Sequence, residues 1–356
     1  MKYAVIQLLK DAAPGYVSGG ELGRRFDVSR TAVWKYIEEL RQEGYSIEAT
    51  SRKGYRLLPS EDRLNAYEIG CGLSTSIVGR DILYFDSLDS TNNYARKLAA
   101  EGCVDGMSVI AGQQTAGRGR LGRSWKSPAN TGIYMSVVLR PPLAPAETQI
   151  LTLAAAVAAA NAIAEVTGLE AGIKWPNDLI IEGRKVCGIL LEMSSEADRV
   201  NYIILGIGIN YSQKEEDFSE ELREKATSLK MAAEKGKAAF KCNTLSQTVA
   251  GEMDNVGHES GMGFSRLSIV RSVLRELDAM TQLVLTDHNA EILELWRNKS
   301  VTLGRTVSFK LKDIEYTGTA IDITADGRLS VDCSDGILRE LLSGEVSVRG
   351  IYGKLR

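Results

Sequence analysis

The stretch KWPNDLIIEGRKVCGILLE, residues 174–192, points to the fold of the central part of this chain. Asn177 and Asp178 fall at a turn, where such residues most often serve the backbone. Lys185 then opens an apolar run typical of a buried strand, although a strand end can also face solvent. Gly188 removes side-chain bulk inside that run, which often marks the close approach of a ligand or another backbone. The stretch predicts a buried strand with polar residues gathered before it.

Similar apolar runs occur on both sides of this stretch. Strands are predicted at 81–90, 106–114, 133–140, 185–193 and 201–211, and helices at 91–101 and 147–167. Mixed strands and helices predict an α/β domain built on a sheet of several strands. The sequence GIGIN, residues 206–210, places two glycines in an apolar strand, so we expect free space beside the sheet there.

The rest of the carboxyl-terminal half divides into two kinds of sequence. Residues 211–300 are mostly polar and helical in pattern, and 235–265 is the least patterned part, where a surface insertion is the simplest interpretation. From residue 300 onward, short strands alternate with turns such as ADGR and SDG, which predicts a small β-barrel.

The longest apolar run, residues 150–164, predicts a buried helix rather than a membrane span. It is dominated by alanine, contains Asn161 and is shorter than the ~20 residues needed to cross a bilayer. The amino terminus lacks the pattern of a secretion signal. We expect no membrane association.

The first 60 residues predict a winged helix-turn-helix. A helix over 2–13 is followed by two short helices around a turn and then by a hairpin at 45–58. Ser29 is the expected N-cap of the second helix of the turn motif. That helix enters the DNA major groove in such motifs, and its first residues contact the bases. The candidate DNA-binding residues are Ser29, Arg30, Thr31, Trp34 and Lys35.

The charge distribution supports an anionic partner for this module. The chain has a net charge of −3, but residues 1–60 contain ten Lys and Arg against seven Asp and Glu, which gives +3 and leaves −6 elsewhere. A local basic module on an acidic body favours DNA over general adhesion. A small helical domain with solvated charges, or a winged helix for protein contacts, remains the alternative.

Cysteine and histidine usage excludes several classes of site. The five cysteines are odd in number and form no CxxC pair, and only two histidines are present. We therefore expect no disulfide framework, no cysteine zinc site and no histidine-based catalysis. The cysteine usage fits a protein of the reducing cytoplasm. Any chemistry must depend on Lys, Arg, Asp, Asn and the substrates.

The loop TAGRGRLGRSW, residues 115–125, combines three glycines with three arginines. Glycine-rich backbone exposes N–H groups to an anion, and arginine adds forked donors that match phosphate or carboxylate. Such sequences also occur in disordered RNA-binding tails, but this loop lies between predicted strands. The loop therefore predicts an anion site, and we expect 116–123 to be mobile without a ligand and to become ordered when a ligand binds.

Five motifs in this order resemble the biotin–protein ligase family, in the bifunctional type that is also a biotin-operon repressor. They are DSTNNYA (89–95), QQTAGRGRLGRSW (113–125), KWPNDL (174–179), KVCGILLE (185–192) and GIGIN (206–210). The resemblance covers nearly the whole chain. It implies a winged helix-turn-helix DNA-binding domain over 1–62, a central mixed-sheet α/β catalytic domain of class II synthetase-like fold over 63–299, and an SH3-like carboxyl-terminal domain over 300–356.

The resemblance implies a reaction in two steps. The biotin carboxylate attacks the α-phosphate of ATP to give biotinyl-5′-AMP and pyrophosphate, and a lysine of a biotin carboxyl carrier protein then attacks the mixed anhydride. It implies Mg²⁺ with the ATP, near Asp178, and no other fixed metal. It also implies operator DNA as a partner and a homodimer that forms when biotinyl-5′-AMP binds as corepressor.

Site roles are carried over to the matching residues. The implied catalytic residues are Lys185, Arg118 and Arg120. The implied biotin-binding residues are Ser90, Thr91, Asn92, Gln114, Gly117, Arg118, Lys185, Gly188 and Leu190. The implied ATP-binding residues are Arg118, Arg120, Arg123, Trp125, Asn177, Asp178, Asn210 and Arg349, with Phe218 as a candidate to cap the adenine.

Two other functions remain open. A biotin-sensing repressor without ligase turnover would not need Lys185 or the arginine loop, because sensing alone does not require an adenylate-stabilising site. A lipoate-type ligase on a related fold is the other alternative, and the GRGRLGR and KWPND motifs favour biotin over lipoate.

Overall fold

The computed structural model describes residues 1–59, 62–244, 263–342 and 346–352 of the chain. These residues form two compact units, Met1–Cys71 and Gly72–Arg356, described separately below. Most of the predicted insertion at 235–265 lies outside the described residues.

The first unit is a winged helix-turn-helix. Its helices are α1 (Lys2–Asp11), α2 (Gly19–Phe26) and α3 (Arg30–Gln42), followed by the antiparallel hairpin of β1 (Ile47–Thr50) and β2 (Gly54–Leu57) and by a short α4 (Ala66–Gly70). The predicted cap of α3 is confirmed, because Ser29 Oγ accepts the backbone N–H of Ala32 at 3.2 Å.

Helix α3 buries one face and exposes the other. Val33, Ile37 and Leu40 recur at helical spacing and are buried in the core of this unit. The unit extends through α4, where Glu68 accepts the Tyr45 hydroxyl at 2.6 Å and pairs with Lys10 at 2.6 Å. The core therefore fixes α3 and leaves its outer surface free for a ligand.

The second unit contains a seven-stranded mixed sheet in the order β3-β4-β5-β9-β8-β7-β6. The strands are β3 (Ile82–Phe85), β4 (Ser108–Ala111), β5 (Gly132–Leu139), β6 (Gly172–Lys174), β7 (Asp178–Ile181), β8 (Arg184–Ser195) and β9 (Val200–Asn210). Only β3 and β4 are parallel neighbours. The five strands predicted from the sequence are confirmed, although β3 and β4 are shorter than expected.

Five α-helices accompany the sheet in the part of this unit that the structure describes. They are α5 (Thr91–Ala100), α6 (Gln149–Thr167), α7 (Leu229–Thr244), α8 (Arg266–Leu285) and α9 (Asn289–Lys299). The apolar α6 is long enough to cross a membrane by composition alone, but most of it is buried against α8, α9 and the sheet. The prediction of a buried core helix is confirmed. The helical pattern predicted within 211–300 is confirmed by α8, which buries Ile269, Val273 and Leu277 together with the polar Ser272 and Asp278.

The chain ends in a five-stranded antiparallel sheet within the same unit. Its order is β13-β12-β11-β10-β14, from β10 (Thr306–Leu311), β11 (Ile314–Ile323), β12 (Leu329–Cys333), β13 (Leu338–Leu341) and β14 (Ser347–Val348). The buried indole of Trp175 donates to the carbonyl of Gly327 at 3.2 Å, and Trp175 N–H donates to Thr302 Oγ1 at 2.9 Å. Residues of the terminal β domain and of the segment just before it therefore hold the segment 174–178 in place.

Candidate active site

A cavity of about 890 Å³ lies on the seven-stranded sheet, beneath residues 115–125, which we call the Gly-Arg loop. It brings together fourteen of the residues that the sequence singled out. These are Ser90, Thr91, Asn92, Gln114, Arg118, Arg120, Arg123, Trp125, Asn177, Asp178, Lys185, Gly188, Leu190 and Asn210. Gly117 and Arg349 do not line it. Gly117 is buried within the loop, and Arg349 is exposed on the terminal domain.

The Gly-Arg loop folds back on itself through its own backbone. Trp125 N–H donates to the Gly117 carbonyl at 2.8 Å, and Gly119 N–H donates to the Arg123 carbonyl at 2.7 Å. A Cβ at Gly117 would lie 2.4 Å from the Trp125 carbonyl oxygen, so only glycine fits there. The loop is a narrow hairpin that projects arginines toward the cavity.

Two of the arginines attach the loop to the walls of the cavity. Arg118 donates to Asn93 Oδ1 at 3.0 Å and pairs with Glu192 Oε1 at 3.1 Å. Arg120 donates to Asn177 Oδ1 at 2.6 Å. Glu192, on β8, also pairs with Arg96 at 2.6 Å, so one carboxylate pairs with two guanidinium groups and leaves a net positive charge. These contacts fix the loop over the sheet.

The indole of Trp125 occupies the space that the strand glycines leave. A Cβ at Gly188 would lie 2.9 Å from the indole, and one at Gly208 would lie 2.7 Å from it. The interpretation of these glycines as free space for a ligand was therefore wrong in part, because an aromatic side chain fills that space. The third glycine, Gly206, gives room to Asn92.

The indole N–H of Trp125 is buried and has no hydrogen-bond partner among the described residues. A buried donor without a partner is costly, and a polar ligand atom in the cavity would satisfy it.

Lys185 lies in a chain of charged groups at the other end of the cavity. Its Nζ is 2.6 Å from Asp178 Oδ1, and the Tyr352 hydroxyl donates to Asp178 Oδ2 at 2.8 Å. Lys185 Nζ also lies 5.3 Å from the centre of the Trp125 ring, and Lys174 Nζ lies 4.8 Å from that of Tyr352. Lys185 is therefore half-buried and faces the cavity, not the solvent.

This arrangement keeps Asp178 ionised. Burial alone would raise the pKa of its carboxyl, but the ammonium groups of Lys185 and Lys174 and the two hydrogen bonds hold that pKa below its ordinary value. Cys187, on the adjoining strand, is buried, and burial raises the pKa of its thiol. A neutral buried thiol is not a nucleophile.

A polar wall is built at the amino end of α5. Gln114 Oε1 accepts the Thr91 N–H at 2.8 Å, while its Nε2 donates to Ser127 Oγ at 2.9 Å. Asn92 Nδ2 donates to Glu192 at 2.8 Å, and Ser90 caps the helix. These side chains hold one another in fixed orientations.

The two asparagines on the nucleotide side of the predicted site support the backbone. Asn177 Nδ2 donates to the Ile189 carbonyl at 2.8 Å, and Asn210 Nδ2 donates to the Thr227 carbonyl at 3.0 Å. Phe218 lines the cavity together with Leu222, close to this wall. The side-chain amides of Asn177 and Asn210 therefore stabilise the backbone that shapes the cavity.

The described residues contain no group of three or more His, Cys, Asp or Glu side chains that could hold a metal ion. Asp178, the expected neighbour of Mg²⁺, has both oxygens engaged by Lys185 and Tyr352. The chain by itself therefore does not fit a resident magnesium ion.

Sequence reasoning missed three residues of this region. Tyr352 and Lys174 line the cavity, and Glu192 holds Arg118. The acidic end of KVCGILLE was visible in the sequence, but nothing in a sequence pattern joins Tyr352 to Asp178 across 174 positions.

The second candidate surface is the exposed face of α3. Arg30, Thr31, Trp34 and Lys35 are all exposed, and Trp34 is exposed to 56% of its surface. This exposed surface thus places a large aromatic beside two cations, opposite the buried Val33 face. Ser29 is also exposed, with its hydroxyl engaged in the cap.

Comparison with known proteins gives three family matches along the chain. Residues 84–210 match the model of the biotin/lipoate A/B protein ligase family. Residues 2–56 match an HTH domain, and residues 302–349 match the biotin protein ligase C terminal domain.

Full-length relatives are also similar. The chain is 36% identical to the bifunctional ligase/repressor BirA of Bacillus subtilis (strain 168), over 97% of each chain. It is 28% identical to BirA of Escherichia coli (strain K12), over 93% of this chain and 92% of that one. The solved biotin protein ligase from Aquifex aeolicus in complex with biotin and ATP has 27% identity and a TM-score of 0.58, covering 76% of this chain and 99% of that one.

Proposed function

The chain belongs to the bifunctional ligase/repressor family of biotin–protein ligases, and we propose that it attaches biotin to an acceptor protein and represses transcription in response to biotin. The observation that carries the ligase half is the position of Lys185 in a cavity roofed by the Gly-Arg loop. The observation that carries the repressor half is the exposed, cationic face of α3 in a winged helix.

The reaction that fits this cavity is adenylate formation followed by transfer. A carboxylate oxygen of biotin attacks the α-phosphorus of ATP, the bond to the β-phosphate oxygen breaks, and pyrophosphate leaves. The ε-amine of an acceptor lysine then attacks the carbonyl of biotinyl-5′-AMP, AMP leaves, and the amine loses a proton. No side chain of the enzyme forms a covalent bond, consistent with the neutral thiol of Cys187.

Both anionic substrates need positive charge where they meet. Lys185 is the proposed contact to the biotin carboxylate and the α-phosphate, and Arg118 and Arg120 close over the same point from the loop. Fixed charges and donors that await the developing negative charge lower the barrier more than mobile ones. Holding the two substrates at reacting distance provides the other part of the rate.

We assign the two ends of the cavity to the two substrates. The polar wall of Ser90, Thr91, Asn92 and Gln114, with the backbone of Gly117, Gly188 and Leu190, is the proposed biotin end. Trp125, Arg123, Asn177, Asp178, Asn210 and Arg349 form the proposed ATP end, with Phe218 against the adenine. Arg349 lies outside the cavity lining, so its contact would require the terminal β domain to move or the nucleotide to extend toward it.

We propose that Mg²⁺ enters with ATP as its counter-ion. The protein has no preformed carboxylate cage among the described residues, and Mg²⁺ is commonly held by substrate phosphates with few protein ligands. No step of the proposed reaction is therefore assigned to a resident metal.

The winged helix within residues 1–62 is the proposed operator-binding domain, with Arg30, Thr31, Trp34 and Lys35 toward the DNA and Ser29 at the helix start. Residues 63–299 are the proposed catalytic domain. Residues 300–356 are proposed to form an SH3-like barrel. Biotinyl-5′-AMP is the proposed corepressor, which favours a homodimer that reads two half-sites. The acceptor is a biotin carboxyl carrier protein, and the compartment is the cytoplasm.

A mass measurement tests the ligase. The protein is incubated with biotin, ATP, Mg²⁺ and an unmodified carrier domain, and the carrier is weighed. The expected result is the mass of one biotin on one lysine. A carrier of unchanged mass, with operator DNA still bound in response to biotin, would instead indicate a sensor without turnover. Addition of lipoate in competition, with lipoylated carrier as the product, would indicate a lipoate ligase.

A further inference from the structure

Tyr352 reaches the cavity from the carboxyl-terminal segment. Its backbone N–H donates to the Gly183 carbonyl at 3.0 Å, which attaches the segment to the turn between β7 and β8. Its φ of 68° is uncommon for a tyrosine and persists only where the surroundings hold it. The hydrogen bond to Gly183 and the backbone conformation at residue 352 together direct the tyrosine side chain into the cavity.

The hydroxyl of Tyr352 completes the environment of one carboxylate. It donates to Asp178 Oδ2 at 2.8 Å, while Asp178 Oδ1 lies 2.6 Å from Lys185 Nζ. Each oxygen has its own partner, so the hydroxyl fixes the rotation of the carboxylate. That rotation in turn decides where Oδ1, and with it the ammonium group, is held.

We propose that Tyr352 is a positioning residue for adenylate formation, acting through Asp178 on Lys185. This inference rests on the proposed function. The hydroxyl holds the Asp178 carboxylate in the rotamer that presents Lys185 to the point where the biotin carboxylate meets the α-phosphate. The terminal β domain thereby contributes to the reaction through one hydrogen bond, in addition to covering the 174–178 segment.

The ring and the hydroxyl of Tyr352 have separable contacts. The ring lies 4.8 Å from Lys174 Nζ, a cation–π distance, whereas only the hydroxyl contacts Asp178. Tyr352→Phe keeps the ring and its packing and removes one hydrogen bond to a charged group. A purely structural role would be retained by phenylalanine, and a positioning role would not.

The test compares Tyr352→Phe, Asp178→Asn and the double variant in the full-length protein. Formation of biotinyl-5′-AMP is followed by pyrophosphate release, with kcat and the KM values for biotin and ATP measured separately. We expect Tyr352→Phe to lower kcat about 10-fold, the size of one lost hydrogen bond to a charged group, with each KM within about 2-fold of wild type. Asp178→Asn should lower kcat further.

The double variant is the decisive measurement. Once Asp178 has lost its charge, the Tyr352 hydroxyl no longer orients an ion pair. On the Asp178→Asn background, Tyr352→Phe should therefore lower kcat by less than about 2-fold, as expected when two residues act through one interaction. A full 10-fold loss on that background would overturn the inference, as would changes confined to KM or to thermal unfolding.

Tyr316→Phe is the matched control. It removes the same hydroxyl from the same terminal domain, where Tyr316 stacks on Phe309 and does not line the cavity. It should leave kcat at the wild-type value. A wild-type protein that forms no biotinyl-5′-AMP would overturn the proposed function and this inference together. A normal wild type beside an unaffected Tyr352→Phe would overturn the inference alone.

Discussion

Gly208→Ala is expected to push the indole of Trp125 off the sheet. The added Cβ would lie 2.7 Å from both Cε2 and Nε1 of the indole, against an optimal separation of about 3.5–4.0 Å for carbon atoms. The indole must therefore retreat by about 1 Å, since Gly208 pairs with Tyr134 on one side and Gly188 on the other and its strand is fixed. Overpacking of this kind costs about 1–3 kcal/mol of stability.

The displaced indole should also disturb the reaction. Trp125 ends the hairpin that begins at Gly117, and its ring lies 5.3 Å from Lys185 Nζ. A shift of about 1 Å at reacting groups can cost on the order of 100-fold in rate. We expect pyrophosphate release to fall by about 10-fold to 100-fold, with a lower unfolding midpoint.

Gly236→Ala on α7 is the matched control for this substitution. A Cβ there meets no heavy atom within 4 Å, so alanine should stabilise the helix, by up to about 1 kcal/mol. Trp125→Ala removes the indole and its packing, so Gly208→Ala should cost less stability on the Trp125→Ala background than on the wild type, and activity should stay low in both Trp125→Ala proteins. A Gly208→Ala protein with the wild-type unfolding midpoint and the wild-type rate would show that the indole is not packed on this strand.

Three further predictions concern other parts of the chain. Lys185→Ala should abolish adenylate formation, below about 1% of wild type, while circular dichroism shows an intact fold and the unfolding midpoint falls because Asp178 loses its ion-pair partner; retained turnover would show that the reaction does not use this lysine. Arg30→Ala with Lys35→Ala should weaken operator binding and reduce the slope of log K against log salt by about 2 for each bound subunit, and so by about 4 for the proposed homodimer, which a gel shift at several salt concentrations measures. Asp278→Asn should cost about 1–3 kcal/mol at pH 7, because the carboxylate accepts the backbone N–H groups of Ile77 and Val78 at 2.8 Å. Burial raises the pKa of Asp278, but these hydrogen bonds hold that pKa below its ordinary value, so the carboxylate stabilises the fold above about pH 4 and this stabilisation is lost as pH falls through the folded-state pKa. Urea unfolding between about pH 7 and pH 3 should therefore show the free energies of unfolding of the wild type and of Asp278→Asn converging as pH falls. A constant difference between them would contradict the assignment.

The strands and helices were predictable because their apolar periodicity is local. β8 and β9 each contain an apolar run, at 186–191 and 202–209, and α6 is apolar around almost its whole circumference. The buried face of α8 could not be identified from the sequence, because its arginines, Glu276 and Asp278 interrupt the apolar pattern and the face is defined only by packing against α6. Ser29 was predictable as a cap because the hydrogen bond spans three residues.

The site was predictable as a set of residues but not as a set of contacts. The motifs gathered Lys185, Asp178 and the arginine loop without indicating that Asp178 pairs with Lys185 or that Trp125 fills the glycine gap. Long-range contacts of this kind depend on how the strands and loops pack. Tyr352 had no local pattern to mark it, because its importance comes entirely from a partner 174 positions away.

The four tryptophans give the protein built-in fluorescence reporters of both proposed activities. Trp175 and Trp296 are fully buried, so their emission lies at shorter wavelength and resists quenching. Trp34 is exposed on α3 and emits at longer wavelength, so it is open to quenching by iodide until a ligand covers that face. Trp125 packs on Gly188 of β8 and Gly208 of β9, beside the ammonium group of Lys185, so its emission changes when the charge around it changes. Occupancy of the cavity and occupancy of α3 can therefore be followed in one unlabelled sample by wavelength and quencher.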